Sequence, residues 1–220
     1  MPGYRGVVRG SLVTVPLLTP RLQLRAYDAA ADAAFVRDLY SREEVQRWIG
    51  DGTQRVRTLG EAREKIRRWQ GLYSQHPVHG AWLVRTHERT RVGTVLLKPI
   101  PDSAADTAHD IEIGWHFHPH AWGHGYATEA AHAVLAHAFA AGLTRVVAVT
   151  HPANEASQAV CLRLGMTPRG LSRAYYDAEC ALFERTAPAA APRGTCGEAP
   201  LTGAASSAAA TEQKGTSDHG

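Results

Sequence analysis

The run Trp122-Gly123-His124-Gly125-Tyr126-Ala127-Thr128-Glu129-Ala130 places two glycines just ahead of an alanine-rich, helix-forming stretch. Glycine lets a backbone turn its N–H groups toward an anion, and a helix N-terminus adds unpaired donors and the positive end of its dipole. Together they make a main-chain cradle for a diphosphate. The chain has no G-x-x-x-x-G-K-[ST] segment and no third glycine of a dinucleotide fingerprint, which argues against a P-loop or a Rossmann site.

Just upstream, Ile111 to His118 alternates strictly. Ile111, Ile113, Trp115 and Phe117 share one face of a strand, and Glu112, Gly114, His116 and His118 share the other. Twelve histidines raise the alternative of a His-based metal-binding module, since His116, His118, His120 and His124 lie close together and imidazoles bind transition metals. No carboxylate or thiolate joins them at a familiar spacing, and Pro119 interrupts the strand, so no metal ligands are assigned.

The elements that must position these residues follow from periodicity. Leu22 to Tyr27 alternates as a strand, and Asp28 is placed to cap a helix running to about Tyr40. Leu59, Ala62, Ile66, Trp69 and Tyr73 mark a second helix. Its Glu61–Lys65 and Glu64–Arg68 pairs form a solvated face, which accounts for the local basic cluster without a nucleic acid. Strands are expected at 81–85 and 91–97, then at 111–118. A helix from about Ala127 ends at Gly142, a strand follows at 145–150, and Asn154 caps a helix ending at Gly165. Strands at 167–171 and 180–185 complete a mixed α/β (α+β) domain.

Composition sets the limits. The 220 residues are 44% apolar and 20% charged with a net charge of +3, which fits one domain with tails and not a nucleic-acid binder. Residues 1–19 read as a leader, 20–186 as the domain and 187–220, rich in Ala, Pro, Gly, Ser and Thr, as a disordered tail. Cys161, Cys180 and Cys196 are odd in number and lack C-x-x-C spacing, which indicates reduced thiols and a cytoplasmic protein. No apolar run reaches the ~18–20 residues of a membrane helix.

Ile111 to Ala130 resembles the strand, pyrophosphate loop and helix of the GNAT acetyltransferases. Asn154-Glu155-Ala156-Ser157 and Leu164-Gly165-Met166 resemble that family's next helix and its ending. Thr19-Pro20-Arg21-Leu22 and the N-x-x-S pattern resemble the branch of ribosomal-protein N-terminal acetyltransferases. The resemblance spans roughly residues 20–185 and implies a largely antiparallel twisted sheet flanked by helices, with splayed central strands at 111–118 and 145–150.

It also implies acetyl-CoA as donor and direct transfer to an unidentified primary amine: a protein N-terminus, an aminoglycoside or a polyamine. The protein would be a monomer or homodimer without a membrane partner. Backbone N–H groups near Phe117 and His118 would hold the pantetheine and polarise the thioester. Trp122, Gly123, His124, Gly125, Tyr126 and Ala127 would take the pyrophosphate, and Asn154 and Ser157 would flank the pantetheine and sulfur.

For the base, the resemblance points to Glu112, with Asp177 as the competitor; an exposed strand glutamate is the plainer reading of Glu112. Glu129, in a first helical turn, suits a structural role. For the proton to the leaving thiolate, Ser157, Tyr176 and Cys161 stay open, because Cys161 stands where many members carry tyrosine. Trp48, Ile49 and Tyr175-Tyr176-Asp177 would line the acceptor's approach. That missing tyrosine also leaves open a non-catalytic CoA-binding module.

Overall fold

The computed structural model describes residues 16–188 apart from 51, 54, 102 and 104–109. The leader up to residue 15 and the tail from residue 189 lie outside the described residues, as does Cys196. An eight-stranded sheet runs in the order β1-β2-β3-β4-β5-β6-β8-β7. Its strands are β1 (Leu17–Leu18), β2 (Leu22–Ala26), β3 (Gly80–Thr86), β4 (Arg91–Pro99), β5 (Ile111–Phe117), β6 (Arg145–Thr150), β7 (Thr167–Ser172) and β8 (Cys180–Thr186). Every neighbouring pair is antiparallel except β5 and β6.

The helices are α1 (Ala33–Ser41), α2 (Glu43–Gln46), α3 (Leu59–Gln75), α4 (Tyr126–Ala140) and α5 (Glu155–Arg163). They cover both faces, as the two-residue period of the strands requires. On β3, Ala81 and Leu83 pack with Val36, Leu39, Tyr40, Ile66 and Trp69 of α1 and α3. Trp82 and Val84 pack with Ala130, Ala131, Val134, Leu135 and Ala138 of α4. The small side chains of α4 let it lie close to the strands that carry its own N-terminal turn.

Two local differences from the sequence reading have physical causes. Asp28 does not begin α1; its carboxylate accepts the N–H groups of Ala30 and Ala31, both at 2.8 Å, and closes a turn before the helix. Asp32 is fully buried and receives Arg25 and Arg91, tying α1 to β2 and β4. The sheet begins inside the segment read as leader, because Leu17 and Leu18 pair with Leu24 and Gln23. Among the described residues no helix is long and apolar enough to cross a membrane.

Candidate active site

β5 and β6 touch through a single pair, Glu112↔Val147, whereas β5 matches β4 from Gly93↔Phe117 to Pro99↔Ile111. Beyond Glu112 the strands diverge. The opening is a cleft of about 620 Å³, with Trp115, His116 and Phe117 on one wall and Asn154, Ser157 and Val160 on the other. That volume suits a small-molecule ligand.

The register of β5 decides which backbone groups face the gap. His118 donates its N–H to Val92 O at 2.9 Å, so Phe117 and Gly93 form a pair without mutual hydrogen bonds. The alternation of an antiparallel ladder then turns the N–H groups of Phe117 and Trp115 away from β4, toward the diverging edge. Phe117 comes so near Gly93 that a Cβ there would lie 2.7 Å from the ring. The carbonyl of Phe117 accepts Trp122 Nε1 at 2.8 Å, which anchors the glycine turn to the strand end after a short 3-10 turn at Pro119–Ala121.

Gly123 and Gly125 have φ of 78° and 76°, a left-handed backbone that favours glycine. Gly125 is the N-cap of α4 and offers no side-chain cap, so the first N–H groups of α4 stay available beside the cleft. Arg21 holds this turn from behind. It donates to His124 O at 2.9 Å and to Glu129 at 2.7 Å, and its guanidinium lies 4.9 Å from the Tyr126 ring centroid.

Across the gap, Asn154 caps α5 by accepting the N–H of Ser157 at 3.1 Å. The Ser157 hydroxyl makes no hydrogen bond among the described residues. Cys161 is fully buried in the core, and burial pushes its thiol up to about 12, which suits packing and not proton donation. Arg47, Thr128 and Arg163 also line the cleft; Thr128 belongs to the glycine run, whereas Arg47 and Arg163 had no signal in the sequence. They reach it from elements far apart in the chain.

Several expected residues lie elsewhere. His118 does not face the gap: its N–H is taken by Val92, its Nε2 donates to Asp38 Oδ2 at 3.1 Å, and its Nδ1 accepts the N–H of His120. The His124 ring stacks on Tyr126 with centroids 5.4 Å apart, outside the cleft lining. Asp177 is exposed and donates its N–H to Ser103 Oγ, so it is not gathered with the others. Ile49 packs beside α1 and α3, while Trp48 does line the cleft and meets His151 at 5.6 Å. Among the described residues no three metal-ligating side chains come together.

Glu112 stands at the closed point of the fork and is buried, not an exposed strand glutamate. Tyr176 donates its hydroxyl to Glu112 Oε2 at 2.5 Å, and Lys98 Nζ lies 3.0 Å from the same oxygen and 2.7 Å from the phenol. Burial first, then the charge of Glu112, raises the Tyr176 phenol well above its usual value.

The acetyltransferase (GNAT) domain model matches residues 21–167. The chain belongs to the GNAT acetyltransferase family. It is 30% identical over 163 residues to "Uncharacterized N-acetyltransferase YoaA" of Bacillus subtilis (strain 168), covering 73% of this chain and 88% of that protein. A GNAT-family acetyltransferase from Bacillus anthracis shares the fold at 23% identity and a TM-score of 0.63, over 78% of this chain and 98% of the other. RimL, a ribosomal L7/L12 alpha-N-protein acetyltransferase solved with coenzyme A, does so at 19% identity and a TM-score of 0.64, over 78% and 97%. This GNAT protein is therefore an N-acetyltransferase with a forked, largely antiparallel sheet.

Proposed function

We propose that this GNAT enzyme binds acetyl-CoA in the cleft and passes the acetyl group directly to a primary amine on a protein N-terminus or a small molecule. The observation that carries the reading is the single β5–β6 pair, which leaves the strand N–H groups of Trp115 and Phe117 beside the uncapped start of α4. The residues fit such a donor: the glycine turn supplies phosphate-facing N–H groups, and the diverging edge supplies partners for the amides of a pantetheine arm. RimL, whose structure holds coenzyme A, supports the same use of the fold.

In this reading Gly123, Gly125, Tyr126 and Ala127 take the pyrophosphate, and Asn154 and Ser157 flank the sulfur. Glu112, hydrogen-bonded to Tyr176, receives the proton lost by the acceptor, and Ser157 serves the departing thiolate. An alkyl ammonium has a pKa near 10 and must lose a proton before attack. A cytoplasmic setting belongs to the proposal, supported by the free thiols of Cys161 and Cys180.

The test is calorimetry with acetyl-CoA followed by thiol release across a panel of peptide N-termini, aminoglycosides and polyamines. Binding plus acceptor-dependent thiol release is expected. Binding without release for any acceptor would leave a CoA-binding module, and no binding would end the reading.

A further inference from the structure

On β5, Glu112, Gly114 and His116 share one face at two-residue intervals, about 6.6 Å apart for each step. A Cβ built on Gly114 would approach nothing nearer than Glu112 Oε1 and Leu96 Cδ1, both at 4.0 Å. A bare step of strand thus separates a carboxylate from an imidazole. The imidazole lines the cleft.

A buried hydroxyl orients that ring. Tyr40 is fully buried, and its one side-chain hydrogen-bond partner among the described residues is His116 Nδ1 at 2.9 Å. A buried phenol keeps its proton in a bond, so Tyr40 donates to Nδ1. A neutral imidazole that accepts at Nδ1 carries its hydrogen on Nε2. Nε2 has no partner among the described residues, and it is the ring's free polar atom in the cleft.

The charges around the ring keep it neutral. Lys65 Nζ lies 4.6 Å from the Tyr40 ring centroid with no carboxylate partner among the described residues, and Lys98 sits at Glu112. Burial first, then Lys65 and Lys98, pulls the imidazole down to about 3. His116 is therefore a poor base and a standing N–H donor, the form in which a neutral histidine polarises a carbonyl.

We infer that His116 is a catalytic hydrogen-bond donor, its Nε2–H directed at the thioester carbonyl oxygen over the bare step at Gly114. The inference rests on the acetyl-transfer reading of the cleft. The amine lone pair bonds to the carbonyl carbon, and the C=O π pair moves onto oxygen, where Nε2–H holds the charge. As that pair returns, the C–S bond breaks. The thiolate leaves with the sulfur's pair, and the proton shed by nitrogen balances it as the free thiol. His116 gives up no proton in any step.

The experiment combines two measurements on the full chain. Histidine ¹⁵N resonances should report His116 as the Nε2–H tautomer, unchanged between about pH 5 and 9. With [1-¹³C]acetyl-CoA and no acceptor, the bound carbonyl should shift downfield in the parent, and His116→Phe should lose part of that shift. His116→Phe should also lower kcat by roughly 10²–10³-fold with acetyl-CoA affinity little changed, and His116→Gln, which keeps an N–H donor, should recover most of the loss. A bare Nε2, an imidazolium at neutral pH, or a full carbonyl shift in His116→Phe would overturn the inference. A parent that binds acetyl-CoA with an unshifted carbonyl sinks this inference alone, whereas a parent that does not bind acetyl-CoA sinks the acetyl-transfer reading as well.

Discussion

Arg21 Nε lies 2.7 Å from Glu129 Oε2, which locks the start of β2 to the first turn of α4. Thr19 Oγ1 donates to the other Glu129 oxygen at 2.6 Å, and the Arg21 N–H donates to it at 2.9 Å. Glu129 thus serves the glycine turn without facing the cleft.

Glu129→Gln should lower stability by about 1–2 kcal/mol, a charge-assisted value reduced because Arg21 is half exposed. Burial pushes this carboxyl up, yet the bonds from Thr19 and Arg21 outweigh it and hold it below its usual value. A depressed carboxyl stabilises the fold above its unfolded pKa, and that contribution fades as pH falls through the folded one. Urea unfolding of parent and variant should therefore differ at pH 7 and converge below about pH 4.

Gly125→Val forces a branched residue to φ of 76°, a strain of about 1–3 kcal/mol. It should weaken acetyl-CoA binding by at least about tenfold in a variant that still folds. Gly170→Val is the control, since Gly170 has φ of 84° and open space around it in β7, away from the cleft. It should lose similar stability and keep its affinity. Equal affinity losses in both would remove the glycine turn's special role.

Glu112→Gln should lower kcat by about 10²–10⁴-fold if this carboxylate takes the amine proton. Asp177→Asn should stay near the parental rate, because the structure leaves Asp177 exposed and apart. Steady-state kinetics over saturating acetyl-CoA decides between them. A collapse in Asp177→Asn with an unaffected Glu112→Gln would reverse the assignment.

His116 also predicts an acid response of the fold. Its imidazole is pulled down to about 3, while an unfolded histidine titrates near 6.5. Between those values the unfolded chain binds a proton that the folded chain refuses, so stability falls as pH drops from about 6.5 toward 3. One proton contributes a slope of at most about 1.4 kcal/mol per pH unit. Denaturant unfolding at several pH values should show a shallower slope in His116→Phe than in the parent.

The alternation of Ile111 to Phe117, the glycine turn and the capped helix at Asn154 were legible because each is a local pattern. What brings them together was not. Nothing local tells that His118 gives its N–H to Val92 or that Tyr40 meets His116, since both depend on register between distant segments. α2 is four residues long and too short for a period, so Arg47 beside the cleft had no signal. Asp177 sits next to a tyrosine that does reach Glu112, yet it stays exposed in the left-handed turn that the two residues share, with φ of 59° and 51°.

The lone β5–β6 pair has a mechanical meaning as well. A sheet transmits force along its ladder, and here the ladder is down to one rung between β1–β5 and β6–β8. A ligand bonded to both diverging edges would replace the missing rungs and splice the two parts. Amide exchange in β6 should then slow on binding even at residues the ligand never touches. In such a protein the substrate would complete the architecture that holds it, and the empty fold would be the looser form.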